Sequence, residues 1–185
     1  MTLRLGTIDL DYFNALEDDV LALSRFVEFT QDNFNTYSIE FVRLLLAAGS
    51  EVDVASKALI QTFDPKSKPR NLVNYRELLL GRYPDIAEYQ IGLPRFGLQL
   101  HPWRNWQLAH PTCWKAYNNV KHDRLKHCRE AYLENVLNAV GGLGVLMQYF
   151  GESFGLFPKK NFQGTLFRLN LIIGSPPKGW KPPAY

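Results

Sequence analysis

The sequence predicts a mainly α-helical bundle of about four to five helices, with a small hairpin or irregular insertion and a short strand-like C-terminal tail. Three observations carry this. Long segments before residue 82 and after residue 111 place apolar residues at helical spacing. A stretch rich in aromatics, Gly and Pro separates them. Near the C-terminus, Thr165 to Ile173 reads as a strand and then gives way to a Pro-rich end. With 185 residues, the chain is expected to form one domain over 1–185, with the insertion at about 83–111 and the tail at about 155–185.

The elements follow in order. Asp9 to Phe29 carries Leu16, Val20, Leu23 and Phe26 at helical spacing, which predicts a first helix. Ser38 is a good N-cap after the turn formers TQDNFNTY and opens a second helix to about Thr62. On that helix Leu44, Leu45, Val52, Ala55 and Leu59 fall in one arc, with Arg43, Ser50, Asp53 and Lys57 opposite and Glu51 at the edge. The loop DPKSKPR leads into a short helix, Asn71 to Gly81. Ala87 to Trp103 alternates weakly and suggests a hairpin or surface excursion. Pro111 and Thr112 start a helix that runs through CWKAYNNVKHDR, and another extends from about Leu125 or Arg129 to Phe150. Its Gly141, Gly142 and Gly144 are expected to permit close helix contact.

Composition bounds the function classes. The chain is 46% hydrophobic and 21% charged, which excludes the profile of a disordered chain. An aromatic content of 14% leaves room for a dimer or partner surface, although core packing is the expected use of Trp103, Trp106 and Trp114. The net charge of +3 is too small to demonstrate a polyanionic partner. Cys113 and Cys128 belong to no CxxC pair and to no zinc spacing, so no metal is expected. The start MTLRLGTIDLDYF has no secretory pattern, which points to reduced thiols and a cytoplasmic location. Val136 to Phe150 is the most membrane-like run, but Asn138 and Gln148 interrupt it and it falls short of the ~20 residues a span needs, so it reads as a buried helix.

The densest polar cluster holds Asn118, Asn119, Lys121, His122 and Arg124 and continues to Lys126, His127 and Arg129. On a helix, Asn118 and His122 lie one turn apart on the same face. Lys121 and Arg124 fall toward the side of Trp114, Tyr117 and Val120, where a buried cation needs a partner, and Glu51 or Asp53 of the long helix could supply it. The functional reading makes the cluster a phosphate site. His titrates near neutrality, and Lys and Arg stabilise phosphate oxygens, which together serve RNA cleavage with no cofactor.

The run WKAYNNVKHDR, following a long helix that contains SEVD, resembles the HEPN superfamily of helical, often dimeric, RNA-acting proteins, over about Ser38 to Tyr149. The resemblance implies a bundle of about four or five helices and an Arg, then four to six residues, then a His at a composite dimer site. It assigns His122 the role of general acid or base and Asn118 that of orienting the His or the ribose. Lys121, Arg124 and Lys115 would hold phosphate, with Asn119, Lys126 and Arg129 as further RNA contacts. The Arg of that pattern is missing, and counting back reaches Lys115, which lacks a guanidinium's bidentate grip. A second placement, Arg104 to His110, keeps the spacing but lies in a predicted loop between Pro102 and Pro111. The resemblance thus implies an RNA-binding homodimer, with metal-independent endoribonuclease activity in a toxin or phage-conflict role and an antitoxin as a protein partner. The alternative expectation is a non-catalytic helical dimer in which Glu51, Lys121 and Arg124 form a buried ionic network.

Overall fold

The computed structural model describes residues 4–5, 8–155, 164 and 166–171. A two-residue ladder, β1 (Arg4–Leu5) with β2 (Ile8–Asp9), leads into α1 (Leu10–Leu23). Next come α2 (Ile39–Phe63), α3 (Leu72–Arg82), β3 (Tyr89–Leu93), β4 (Leu98–Leu100), α4 (Thr112–His122), the single turn α5 (Arg124–His127), α6 (Leu133–Ser153) and β5 (Arg168–Leu171). The fold is mainly helical, as the periodicity predicts.

Helix α2 is the spine. Ser38 caps it, its hydroxyl accepting from the Phe41 amide at 3.1 Å, and the predicted arc of Leu44, Leu45, Val52, Ala55 and Leu59 is buried. At ~1.5 Å per residue it runs nearly 40 Å. Its main partner is α6, buried on almost every face between Asn135 and Gly151. No side chain caps α6; instead the carbonyls of Thr36 and Phe34 accept from the Leu133 and Glu134 amides at 2.9 and 3.2 Å. Among the described residues, no helix is long and apolar enough to cross a membrane.

Two expectations need correction. The first helix ends at Leu23, not Phe29, because residues 24–26 turn away and leave Phe26 80% exposed. The glycines of α6 do not bring two helices together at positions 141 and 142; they seat the insertion. A Cβ on Gly141 would stand 2.6 Å from the Ile91 side chain of β3, and one on Gly142 would stand 3.2 Å from Pro102. Trp103 closes this contact by donating its indole N–H to the Gly142 carbonyl at 3.2 Å. The close approach between helices occurs on α2, where a Cβ on Gly49 would lie 2.2 Å from the Tyr117 ring of α4.

The insertion contains a hairpin. β3 and β4 pair antiparallel around Gly97, whose φ of 63° suits a residue with no Cβ. The strand-like tail forms β5, which adds to the other edge of β3 with Gln90 opposite Asn170, giving the order β4-β3-β5. Residues 156–163, 165 and 172–185 of the predicted tail, including its Pro-rich end, lie outside the described residues.

Candidate functional site

The approach of α4 to α2 at Gly49 opens a cleft between α2, α3 and α4, with a volume of about 650 Å³. Helix α4 contributes Lys115, Asn118, Asn119 and Lys121 to it, α2 contributes Asp53 and Lys57, Arg70 comes from the loop before α3, and His110 comes from the loop before α4. The buried rings of Trp114 and Tyr117 form its floor.

The charges in this cleft are unevenly matched. Asp53 is its only carboxylate among the described residues, and it is already engaged: Lys57 pairs with one oxygen and the buried Tyr75 hydroxyl donates to the other at 2.5 Å. Burial and the Asp53 carboxylate push the Tyr75 phenol well above its ordinary value. Among the described residues no carboxylate pairs with Arg70, Lys115 or Lys121. The Lys121 ammonium lies 5.3 Å from the centre of the Tyr117 ring, which stabilises a cation without neutralising it.

His110 is the one histidine among the described residues of the cleft. Desolvation holds its ring below the ordinary imidazole range, and the cations Arg76 and Lys115 push the same way, so the neutral form prevails near pH 7. Its Nδ1 is buried and has no hydrogen-bond partner among the described residues. An uncharged imidazole among unpaired cations can accept a proton in a site that attracts anions.

The structure divides the sequence-predicted residues into groups. Lys115, Asn118, Asn119, Lys121, Asp53 and His110 come together in the cleft. Asn118 donates to the Trp114 carbonyl at 3.2 Å and Asn119 donates to Glu130 Oε2 at 2.8 Å, so both amides are fixed. The other oxygen of Glu130 meets His127 Nδ1 at 2.5 Å, and this chain of contacts ties the cleft rim to α5. His122, Arg124, Lys126 and Arg129 are exposed and line no part of the cleft. His122 is the last residue of α4, and beyond it Asp123 caps α5 by accepting from the Lys126 amide at 3.2 Å. The Arg129 guanidinium covers the Tyr37 ring at 5.8 Å.

The placement of Lys121 and Arg124 on a buried side is corrected: both are exposed, so neither belongs to a buried ionic network with Glu51. Helix α4 ends at His122, which frees Arg124 from its face, and the long stem of Lys121 carries its amine past the Tyr117 ring to the surface. Asp53, expected to meet these cations, meets Lys57 and Tyr75 instead. The Arg104 to His110 pair is also separated, because Arg104 lines a second cavity while His110 lines the cleft. Trp103 and Trp106 are buried, with ring centres 4.4 Å apart, and serve the core.

Two cations of the cleft, Lys57 and Arg70, are not among the site residues that the sequence points to. The first carries a local signal, the i,i+4 spacing of Asp53 and Lys57 on the polar face of α2. Arg70 carries none, since its position follows from where α3 begins. No protein-family model matches this chain, and no curated protein or solved structure matches it.

Proposed function

We propose that the chain binds RNA by seating a backbone phosphate in the cleft between α2, α3 and α4, and that His110 equips the cleft for cleavage without a metal. The observation that carries this reading is the convergence on one cleft of Arg70, Lys115 and Lys121, none paired with a carboxylate among the described residues, and of His110, whose desolvation favours the neutral ring. Unpaired cations in a concave site attract phosphate. The resemblance of the Trp114 to Arg124 run to RNA-acting helical proteins directs the choice to RNA.

In the cleavage step, His110 accepts the proton of a ribose 2′-hydroxyl while that oxygen attacks the adjacent phosphorus. The bond to the 5′-oxygen then breaks, which leaves a 2′,3′-cyclic phosphate, and that oxygen departs as a hydroxyl with a proton taken from water. Lys115 and Lys121 offset the charge that builds on the phosphate oxygens. The proton acceptor in this reading is His110, because His122 lies outside the cleft. The cleft is built within one chain, so this step needs no second copy.

The test compares wild type, Lys115→Ala with Lys121→Ala, and His110→Ala on mixed RNA in EDTA, using native and denaturing gels. Both cations are exposed, so the double variant should fold and lose RNA retardation. His110→Ala should keep retardation and lose cleavage. Retardation unchanged in the double variant overturns the assignment, and binding without cleavage by wild type confines the reading to RNA binding.

A further inference from the structure

A second cavity, of about 450 Å³, lies on the other side of the segment that delivers His110 to the first. His110, Trp114 and Lys115 face the basic cleft, whereas Pro111, Thr112 and Cys113 between them face this cavity. Its lining differs in kind. Among the described residues it has one permanent cation, Arg104, and one carboxylate, Glu134, and it gathers carboxamides from four separate parts of the chain.

The two amides of α6 are held by hydrogen bonds, and those of Gln99 and Asn105 are placed by the backbone that carries them. On α6, Asn135 donates to the Glu130 carbonyl and Asn138 to the Glu134 carbonyl, each at 2.9 Å, which leaves the amide oxygens as the remaining acceptors. On the opposite wall Gln99 belongs to β4, which the hairpin register fixes opposite Gly92. Asn105 sits beside Arg104 in a left-handed conformation with φ of 60°, which Asn tolerates better than most residues. Arg104 is exposed at the mouth, and His101, half-buried, stands near enough to feel its charge.

From this arrangement we propose that the second cavity is a nucleotide-binding site, with Arg104 taking the phosphate and the carboxamides of Gln99, Asn105 and Asn138 reading the base and sugar. A carboxamide presents a donor and an acceptor side by side, which matches the edges of nucleobases, and a lone guanidinium grips one phosphate in bidentate fashion. The volume falls in the range of small-molecule sites, ~300–1,000 Å³. Two sources share this chemistry: a free mononucleotide, or the next unit of an RNA strand whose neighbouring phosphate occupies the basic cleft. The second source rests on the function proposed above; the first does not.

The experiment is calorimetric titration of the full chain with UMP, with AMP and with a single-stranded octanucleotide RNA. Wild type is compared with Arg104→Ala, Gln99→Ala and Lys115→Ala, all at exposed positions. At least one mononucleotide should bind wild type, Arg104→Ala should weaken it about tenfold, the loss of one charge-assisted contact, and Lys115→Ala should weaken it less than Arg104→Ala does. Gln99→Ala should change the preference between UMP and AMP. If the site serves the strand, Arg104→Ala should weaken the octanucleotide as well; if it serves free nucleotide only, the octanucleotide should be indifferent to it. The proposal is overturned if neither mononucleotide binds and the octanucleotide ignores Arg104→Ala, or if Lys115→Ala rather than Arg104→Ala removes mononucleotide binding. Octanucleotide binding unaffected by Lys115→Ala, with Arg104-dependent mononucleotide binding intact, would defeat the RNA reading of the basic cleft and leave this site standing.

Discussion

His110 and His122 differ in what surrounds the ring rather than in sequence setting. The ring of His122 ends a helix in open solvent, while that of His110 is lowered into a cleft whose nearest charges are cations. The polar run on α4 made Lys115, Asn118, Asn119 and Lys121 legible, because they share one helix and one periodicity. His110 was legible only as a member of a spacing, since what surrounds its ring, including the charge of Arg76 on α3, is distant in sequence. The environment of the ring has a consequence for pH. His101 and His110 both have folded-state values below the ordinary one, chiefly through desolvation. On acidification the unfolded chain therefore takes up these protons first, and stability that is complete above the unfolded value declines as pH falls toward the folded ones. Melting temperature should therefore drop between about pH 7 and pH 5, on either side of the ordinary imidazole value near 6.5, and the drop should shrink in His101→Gln with His110→Gln. An equal drop in both proteins would show that these rings do not titrate in the folded state as described.

Glycines separate the helices that pack closely from those that do not. Gly49 faces the Tyr117 ring across the α2 and α4 contact, whereas a Cβ on Gly81, in the last turn of α3, meets nothing within 4 Å. Replacing each by Ala should give opposite results. Gly49→Ala should drive α4 away from α2 and cost on the order of 1–3 kcal/mol or more, as overpacking does. Gly81→Ala should gain up to ~1 kcal/mol by reducing the freedom of the unfolded chain. Thermal denaturation reads both, and a harmless Gly49→Ala would show that the contact can yield. Element boundaries were legible where a cap is encoded locally: Ser38 and Asn71 each accept from the amide three residues on. The end of α1 was not, because Phe26 continues the apolar spacing while the chain turns away. Gly141 and Gly142 showed the same limit. A sequence marks a glycine as a place of close approach without saying what approaches, and here it is a hairpin.

The tail is joined to the body through a carboxylate at the opposite end of the chain. Glu17 on α1 is buried, and its Oε1 accepts from the amides of Leu166 and Phe167 at 3.2 and 2.9 Å. Phe167 is fully buried near the space left by Gly141. Glu17→Ala should leave those amides unsatisfied, at about 1–3 kcal/mol for each buried group deprived of its partner. Hydrogen exchange should then quicken at Leu166 and Phe167 before it does in α2, and unchanged protection would mean that β3 alone holds the strand. Across the whole molecule, the helical class and the strand-like tail were legible because both are local patterns. The pairing of that tail with β3 was not, since the partners lie nearly eighty residues apart and β-ladder hydrogen bonds carry no residue code.

The junction of Glu17 with Leu166 and Phe167 also sets an order of events during synthesis. Chains emerge from the ribosome N-terminus first, at about 5–20 residues per second. The α1, α2 and α6 surfaces are therefore all in solution before the segment that seals them has left the exit tunnel. Until Leu171 emerges, β3 has an unpaired edge and the Glu17 carboxylate faces an unfilled slot. That interval is when the nascent chain is most exposed to chaperones and to neighbouring copies of itself.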